Sequence, residues 1–239
     1  IRDLLQTSRA LAEKTALTEL SSGSALHDAI RYHYQTSGSE ARATLCLSAS
    51  IALGLTPDAA IRLAASVETL HNASLIQDDL QDGDEIRRGK TAIWKKFSPD
   101  IAINATDLLI ASAFELVASA GSDSAHRLVT TMNRAIARTL QGQTKDLNAV
   151  RDLGVDQAIA VAKEKSGPLF SLSLELPLVL AGHSYFLRTA REAGAAFGIG
   201  YQIFDDINDA ARDRESGNLS NLALLLESSG DTTLSSLEG

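Results

Sequence analysis

Two hydroxyl-proline pairs, Thr56-Pro57 and Ser98-Pro99, constrain the fold of this chain more than any other feature. Proline at the first helical position costs no hydrogen bond, and a hydroxyl just before it caps the helix start. Behind each pair runs Ala- and Leu-rich sequence with little β-branched alternation, which again favours helix. The pattern predicts helices over 24–36, 40–53, 57–82, 100–120, 123–149, 155–165, 168–182 and 185–213. Gly121-Ser122 should end one helix and cap the next, and Pro177 should kink its helix without ending it. An all-α chain with no solenoid repeat is expected.

The 239 residues, 44% of them hydrophobic, suffice for one large core. We expect one helical domain over 1–239, incomplete at its C-terminal end. The longest run without Asp, Glu, Lys or Arg, Ala43 to Pro57, is shorter than the ~20 apolar residues of a bilayer span. No transmembrane segment is therefore expected. A net charge of −8 argues against a general nucleic-acid binder. The single thiol, Cys46, excludes an intrachain disulfide and suggests a reducing compartment, hence a cytoplasmic location.

Chemistry concentrates in a motif that occurs twice. Asp78-Asp79-Leu80-Gln81-Asp82 follows the apolar stretch Leu70 to Ile76, and Asp205-Asp206-Ile207-Asn208-Asp209 follows Gly198 to Phe204. Asp78 and Asp82 are one helical turn apart, as are Asp205 and Asp209, so each motif lines carboxylates on one face. Such pairs at helix ends are often solvated surface; next to apolar sequence they are more often paired or hold a metal. Oxygen ligands without Cys or His favour Mg²⁺ over Zn²⁺, held by a few carboxylates plus phosphate oxygens. The acidic balance reverses locally at Arg87, Arg88, Lys90, Lys95 and Lys96, where a phosphate and its metal could be held together.

His71-Asn72-Ala73-Ser74-Leu75-Ile76-Gln77-Asp78-Asp79, continuing to Arg87-Arg88-Gly89, resembles the first aspartate-rich region of trans-prenyl diphosphate synthases. Gly198-Ile199-Gly200-Tyr201-Gln202-Ile203-Phe204-Asp205-Asp206 resembles the second. Gly142-Gln143 with Asp146, and Lys165-Ser166, stand between them in that family's order. The resemblance covers roughly residues 25–225 and implies an isoprenoid-synthase-type bundle of ten or more helices around a central cavity. It implies a prenyltransferase that ionises an allylic prenyl diphosphate and adds isopentenyl diphosphate to the cation, working as a homodimer.

By that resemblance Asp78, Asp82 and Asp205, with Asp209, would hold three Mg²⁺ ions, and Asp79 would belong to the same catalytic cluster. Arg87 and Lys165 would neutralise the allylic diphosphate, with Lys145 a lesser helper. Ser166 and Gln202 would turn oxygen dipoles toward the cation. His71, Arg88 and Arg42 would form the isopentenyl diphosphate site. His71 lies seven residues before Asp78, hence on the same helix face. Taken alone, Arg87-Arg88 would be ordinary surface and Lys165 a helix C-terminal charge.

The chain departs from the family before Leu45, where Gly-Gly-Lys-Arg-x-Arg-Pro is usual and Ser37-Gly38-Ser39-Glu40-Ala41-Arg42-Ala43 stands here. One cation of three remains and Glu40 reverses a charge, which weakens an anion site. Two other readings stay open: a cyclase-like relative that ionises a prenyl diphosphate without isopentenyl addition, and a non-catalytic partner subunit of a heteromeric synthase. In the family it resembles, bulky aromatics five and four residues before the first aspartate stop the growing tail; Ala73 and Ser74 stand there and are too small, so the tail would pass toward Leu70. The resemblance thus implies a product of C20 or longer.

Overall fold

The computed structural model describes residues 1–36, 38–147, 155–216, 224, 225 and 227. Among them are nine α-helices: α1 (Arg2–Leu17), α2 (Ala25–Tyr34), α3 (Ala41–Ala52), α4 (Pro57–Asp82), α5 (Ile93–Lys96), α6 (Pro99–Ala118), α7 (Ala125–Leu147), α8 (Val155–Leu180) and α9 (Leu187–Ser216). The fold is all-α as predicted. Both hydroxyl caps form: Thr56 accepts from the Ala59 N–H at 3.3 Å and Ser98 from the Ile101 N–H at 3.1 Å.

Three features differ from expectation. Helix α1 was not foreseen; it starts without a side-chain cap. A two-stranded hairpin, β1 (Ile86–Arg87) and β2 (Lys90–Thr91), follows α4. Its turn residues Arg88 and Gly89 both have positive φ, 52° and 75°, the requirement of a tight type I′ hairpin. Helix α8 runs unbroken through Gly167, Pro168 and Pro177, where two helices had been predicted. Between α6 and α7, Gly121 precedes a single 3₁₀ turn, Ser122–Ser124.

The chain divides into two compact units, residues 1–132 with 173–186, and residues 133–172 with 187–239. The first is organised on α4, which packs against α6, α3 and α1. Ala12 and Ala16 of α1, Ala29 and Ile30 of α2, Ala73 and Ile76 of α4, and Ala105 and Leu109 of α6 share one buried cluster. Small residues let these helices approach closely. By length and composition α6 is the one described helix sufficient to cross a membrane, with mean hydropathy 1.6. Its Ala102, Ala105, Leu109, Ala113, Leu116 and Val117 are taken up in the core of this unit.

In the second unit α8 meets α9 through glycines. A Cβ on Gly194 would lie 2.4 Å from the Ser171 backbone, and one on Gly198 would lie 2.9 Å from Gly167. Phe170 stacks beside them on Phe197 and Tyr201, centroids 4.8 and 5.3 Å away. This close approach brings polar residues of α8 and α9 within bonding distance.

Candidate active site

Helix α4 ends in Asp78, Asp79 and Asp82, then Gly83 in the left-handed conformation (φ 73°). Carboxylates there oppose the helix macrodipole, so the cluster needs cations. The hairpin supplies one. Arg87 Nε donates to Asp79 Oδ1 at 2.6 Å, its Nη2 contacts the same oxygen, and Asp84 lies 3.5 Å from Nη2. Asp79 is buried, Asp78 half-buried and Asp82 exposed. Burial raises the Asp79 pKa, and the Arg87 hydrogen bond opposes that rise. The three acids thus differ, with Asp79 bound to Arg87 and Asp78 and Asp82 spaced one helical turn apart.

Trp94 Nε1 donates to the Asp84 carbonyl at 2.8 Å and Lys95 pairs with Glu85 at 2.8 Å. The ammonium groups of Lys90 and Lys96 stand 5.5 and 4.8 Å from the Tyr32 ring centroid. The basic run noted in the sequence is therefore largely spent on holding the hairpin; the two arginines face functional groups.

Arg88 turns to the other side. It lines a small cavity with Arg9, His33, Gly38, Glu40, Glu68 and Asn72. Its guanidinium lies against Gly38 so closely that a Cβ there would sit 2.1 Å from Nη2. Asn72 accepts from His33 Nε2 at 3.0 Å and donates through Nδ2 to the Glu68 carbonyl at 3.0 Å. Buried Arg42 donates through Nη1 to His71 Nε2 at 3.2 Å. Arginine only donates, so His71 is neutral with its proton on Nδ1. Burial, then Arg42 and Arg88, hold the His71 pKa well below the usual imidazole value. Burial also lowers His33 to about 4, against the pull of its Asn72 hydrogen bond, with Arg88 and Arg87 adding to the fall. Glu68 is raised by burial, countered by Arg42 and Arg88, and its Oε2 is enclosed without a hydrogen-bond partner.

In the second unit Ser166 Oγ donates to Gln202 Oε1 at 3.3 Å, and Gln202 Nε2 donates to Asp206 Oδ1 at 2.8 Å. The amide is thereby fixed between α8 and α9. Lys165 is half-buried on α8, and Lys145 Nζ lies 2.5 Å from the Glu164 carboxylate, an ion pair on the surface of this unit. A Cβ on Gly142 would lie 2.5 Å from the Glu164 carbonyl oxygen, which brings α7 onto α8 beside Lys165. The side chains of Asp146, Asp205 and Asp209 lie outside the described residues.

Of the residues singled out in sequence, Arg42 and His71 come together directly, as do Ser166 and Gln202. Ala73 belongs to the buried cluster shared with α1, α2 and α6, whereas Ser74 is half-buried, its Oγ donating to the His71 carbonyl at 2.8 Å. Leu70 is buried. Arg9, His33, Glu68, Asn72 and Asp206 were not foreseen as site residues. The i, i+4 spacing of Glu68 and Asn72, and of Gln202 and Asp206, is the signal that would have found three of them.

The chain matches the polyprenyl synthetase family over residues 24–219 and belongs to it. It is similar to a geranylgeranyl pyrophosphate synthase of Geoglobus acetivorans, 33% identical over 189 residues, which are 77% of this chain and 59% of that protein. A (2E,6E)-farnesyl diphosphate synthase of Mycobacterium tuberculosis is 31% identical over 173 residues, 71% of this chain and 48% of that protein. The chain thus spans about half to three fifths of these relatives. The solved geranylgeranyl pyrophosphate synthetase of Geoglobus acetivorans superposes with a TM-score of 0.78 at 29% identity, covering 87% of this chain and 69% of that one.

Proposed function

We propose that the chain is a Mg²⁺-dependent prenyltransferase that joins an allylic prenyl diphosphate to isopentenyl diphosphate and releases a trans-prenyl diphosphate of C20 or longer. The observation that supports this reading is the divergence of Arg87 and Arg88: neighbouring guanidiniums of one hairpin turn apart, one against Asp79 and one beside His33 and Glu68.

Mg²⁺ fits the donors on the first side, oxygen ligands one turn apart at Asp78 and Asp82, with Asp205 and Asp209 the corresponding pair on α9. Mg²⁺ is usually held by a few carboxylates plus substrate phosphate oxygens, which would complete its shell here. When bound with diphosphate, the metal supplies neutralisation of the charge that develops on the leaving group. Arg87, oriented by Asp79, binds that diphosphate and stabilises it as it departs, and the family resemblance gives Lys165 the same role. Gln202, clamped by Ser166 and Asp206, keeps an amide dipole fixed beside the cation. On the other side Arg88, with Arg42 and neutral His71, holds isopentenyl diphosphate. Its double bond attacks the allylic carbon, and released pyrophosphate takes the final proton. Apolar helical walls exclude water from the cation. The enzyme works as a homodimer in the cytoplasm.

The test is pyrophosphate release from purified protein given Mg²⁺ and an allylic diphosphate, with and without isopentenyl diphosphate. Release that depends on isopentenyl diphosphate supports condensation. Release without it, with a hydrocarbon product, favours the cyclase-like alternative, and no release favours a partner subunit.

A further inference from the structure

We propose that Arg9 of α1 serves the isopentenyl diphosphate pocket in place of the cations missing at Ser39 and Glu40, and that Glu40 restrains it. The inference rests on the condensing reading above. Arg9 and Glu40 line the same cavity as Arg88, His33 and Glu68. Arg9 Nη2 donates to the carbonyls of Tyr34 and Thr36 at 2.5 and 3.2 Å, which fixes the guanidinium at the cavity edge. Its Nη1 is 3.7 Å from Glu40 Oε1, and the two side chains are 34% and 30% exposed.

An ion pair that long and that exposed is weak. An incoming diphosphate can exchange for the Glu40 carboxylate without moving Arg9, because the two carbonyls already hold it. Glu40 and Arg88, at φ 49° and 52°, are the only non-glycine positive-φ residues described, and both belong to this cavity. Backbone strain of this kind persists where surrounding structure over-determines it, and it gathers at ligand sites. Arg9 stands against Glu40 at the cavity edge, and Arg88 lines the same cavity. A diphosphate gains two guanidiniums only by setting Glu40 aside. Glu40 is then the residue that sets affinity, and Arg9 the one that supplies it.

Calorimetric titration of the full chain with isopentenyl diphosphate, without allylic substrate, tests this. Glu40→Gln should tighten binding about tenfold, and Arg9→Gln should weaken it about tenfold or more, with Arg9→Lys between. In the double variant the gain from Glu40→Gln should disappear. A strut holding the 34–40 turn would instead lower the melting temperature in both single variants and tighten binding in neither. Wild-type affinity in Arg9→Gln, or no tightening in Glu40→Gln, overturns the proposal while leaving condensation intact if the wild type elongates. A wild type that binds no isopentenyl diphosphate yet releases pyrophosphate from the allylic substrate removes both readings together.

Discussion

Arg87 grips Asp79 twice, with Nε 2.6 Å from Oδ1 and a second guanidinium nitrogen on the same oxygen. On the proposed reading Asp79 positions Arg87. Asp79→Asn should reduce kcat/KM for the allylic diphosphate about tenfold or more, since a charge-assisted bond to Arg87 is lost. The Mg²⁺ concentration for half-maximal rate should stay where it is. A large rise in that concentration would make Asp79 a metal ligand instead.

Asp78→Ala should act on the metal. Turnover should fall by about a hundredfold or more while the far-ultraviolet spectrum and melting temperature hold, because removing one of several clustered carboxylates also relieves repulsion at the helix end. Asp82→Ala should behave likewise, and calorimetry should detect tight Mg²⁺ binding only when diphosphate is present. Near-normal turnover in Asp78→Ala would contradict the metal assignment.

Gly38→Ala places a Cβ 2.1 Å from the present Arg88 Nη2, so the guanidinium must leave. The expected result is a KM for isopentenyl diphosphate raised about fivefold or more, with the allylic KM unchanged. Equal change in both constants would mean that Arg88 serves no separate subsite.

Stability should depend on pH through His33. Its folded pKa of about 4 lies below the usual 6.5, so the unfolded chain takes up a proton that the folded chain refuses. The contribution is fully present above pH 6.5 and is lost as pH falls toward 4, to a total of about 3 kcal/mol. Chemical denaturation of wild type and His33→Gln between pH 7 and 4 checks this, and the variant should show the shallower slope.

Product length should respond at Ser74 and not at Ala73. Ala73 lies in the packed cluster, where phenylalanine would cost about 1–3 kcal/mol or more through overpacking. Ser74→Phe should fold and shorten the product seen by chromatography. Unchanged length in a folded Ser74→Phe would separate this helix face from the tail.

The helices with strong start signals were legible, as Thr56 and Ser98 demonstrate. Helix α1 begins at Arg2 with no capping side chain, and its buried Ser8, Ala12 and Ala16 make a face too small to register as apolar. Gly167-Pro168 looked like a break. Proline has no N–H for the Glu164 carbonyl, yet the helix continues, with Gly167 so close to α9 that a Cβ on it would lie 3.2 Å from the Ala195 Cα. Strands of two residues show no alternation, and arginine is an unusual turn residue at positive φ, so the hairpin was invisible. The site was legible as motifs; Glu68 and Asp206 could have been found from their i, i+4 spacing to Asn72 and Gln202, whereas Arg9 and His33 depend on tertiary contacts alone.

The central claim is tested most directly by supplying labelled isopentenyl diphosphate with an unlabelled allylic diphosphate and Mg²⁺, then separating the products by chain length. Label should appear in a prenyl diphosphate of C20 or longer, and chelation of Mg²⁺ should abolish it. Label remaining wholly in isopentenyl diphosphate while the allylic substrate is consumed would contradict the account.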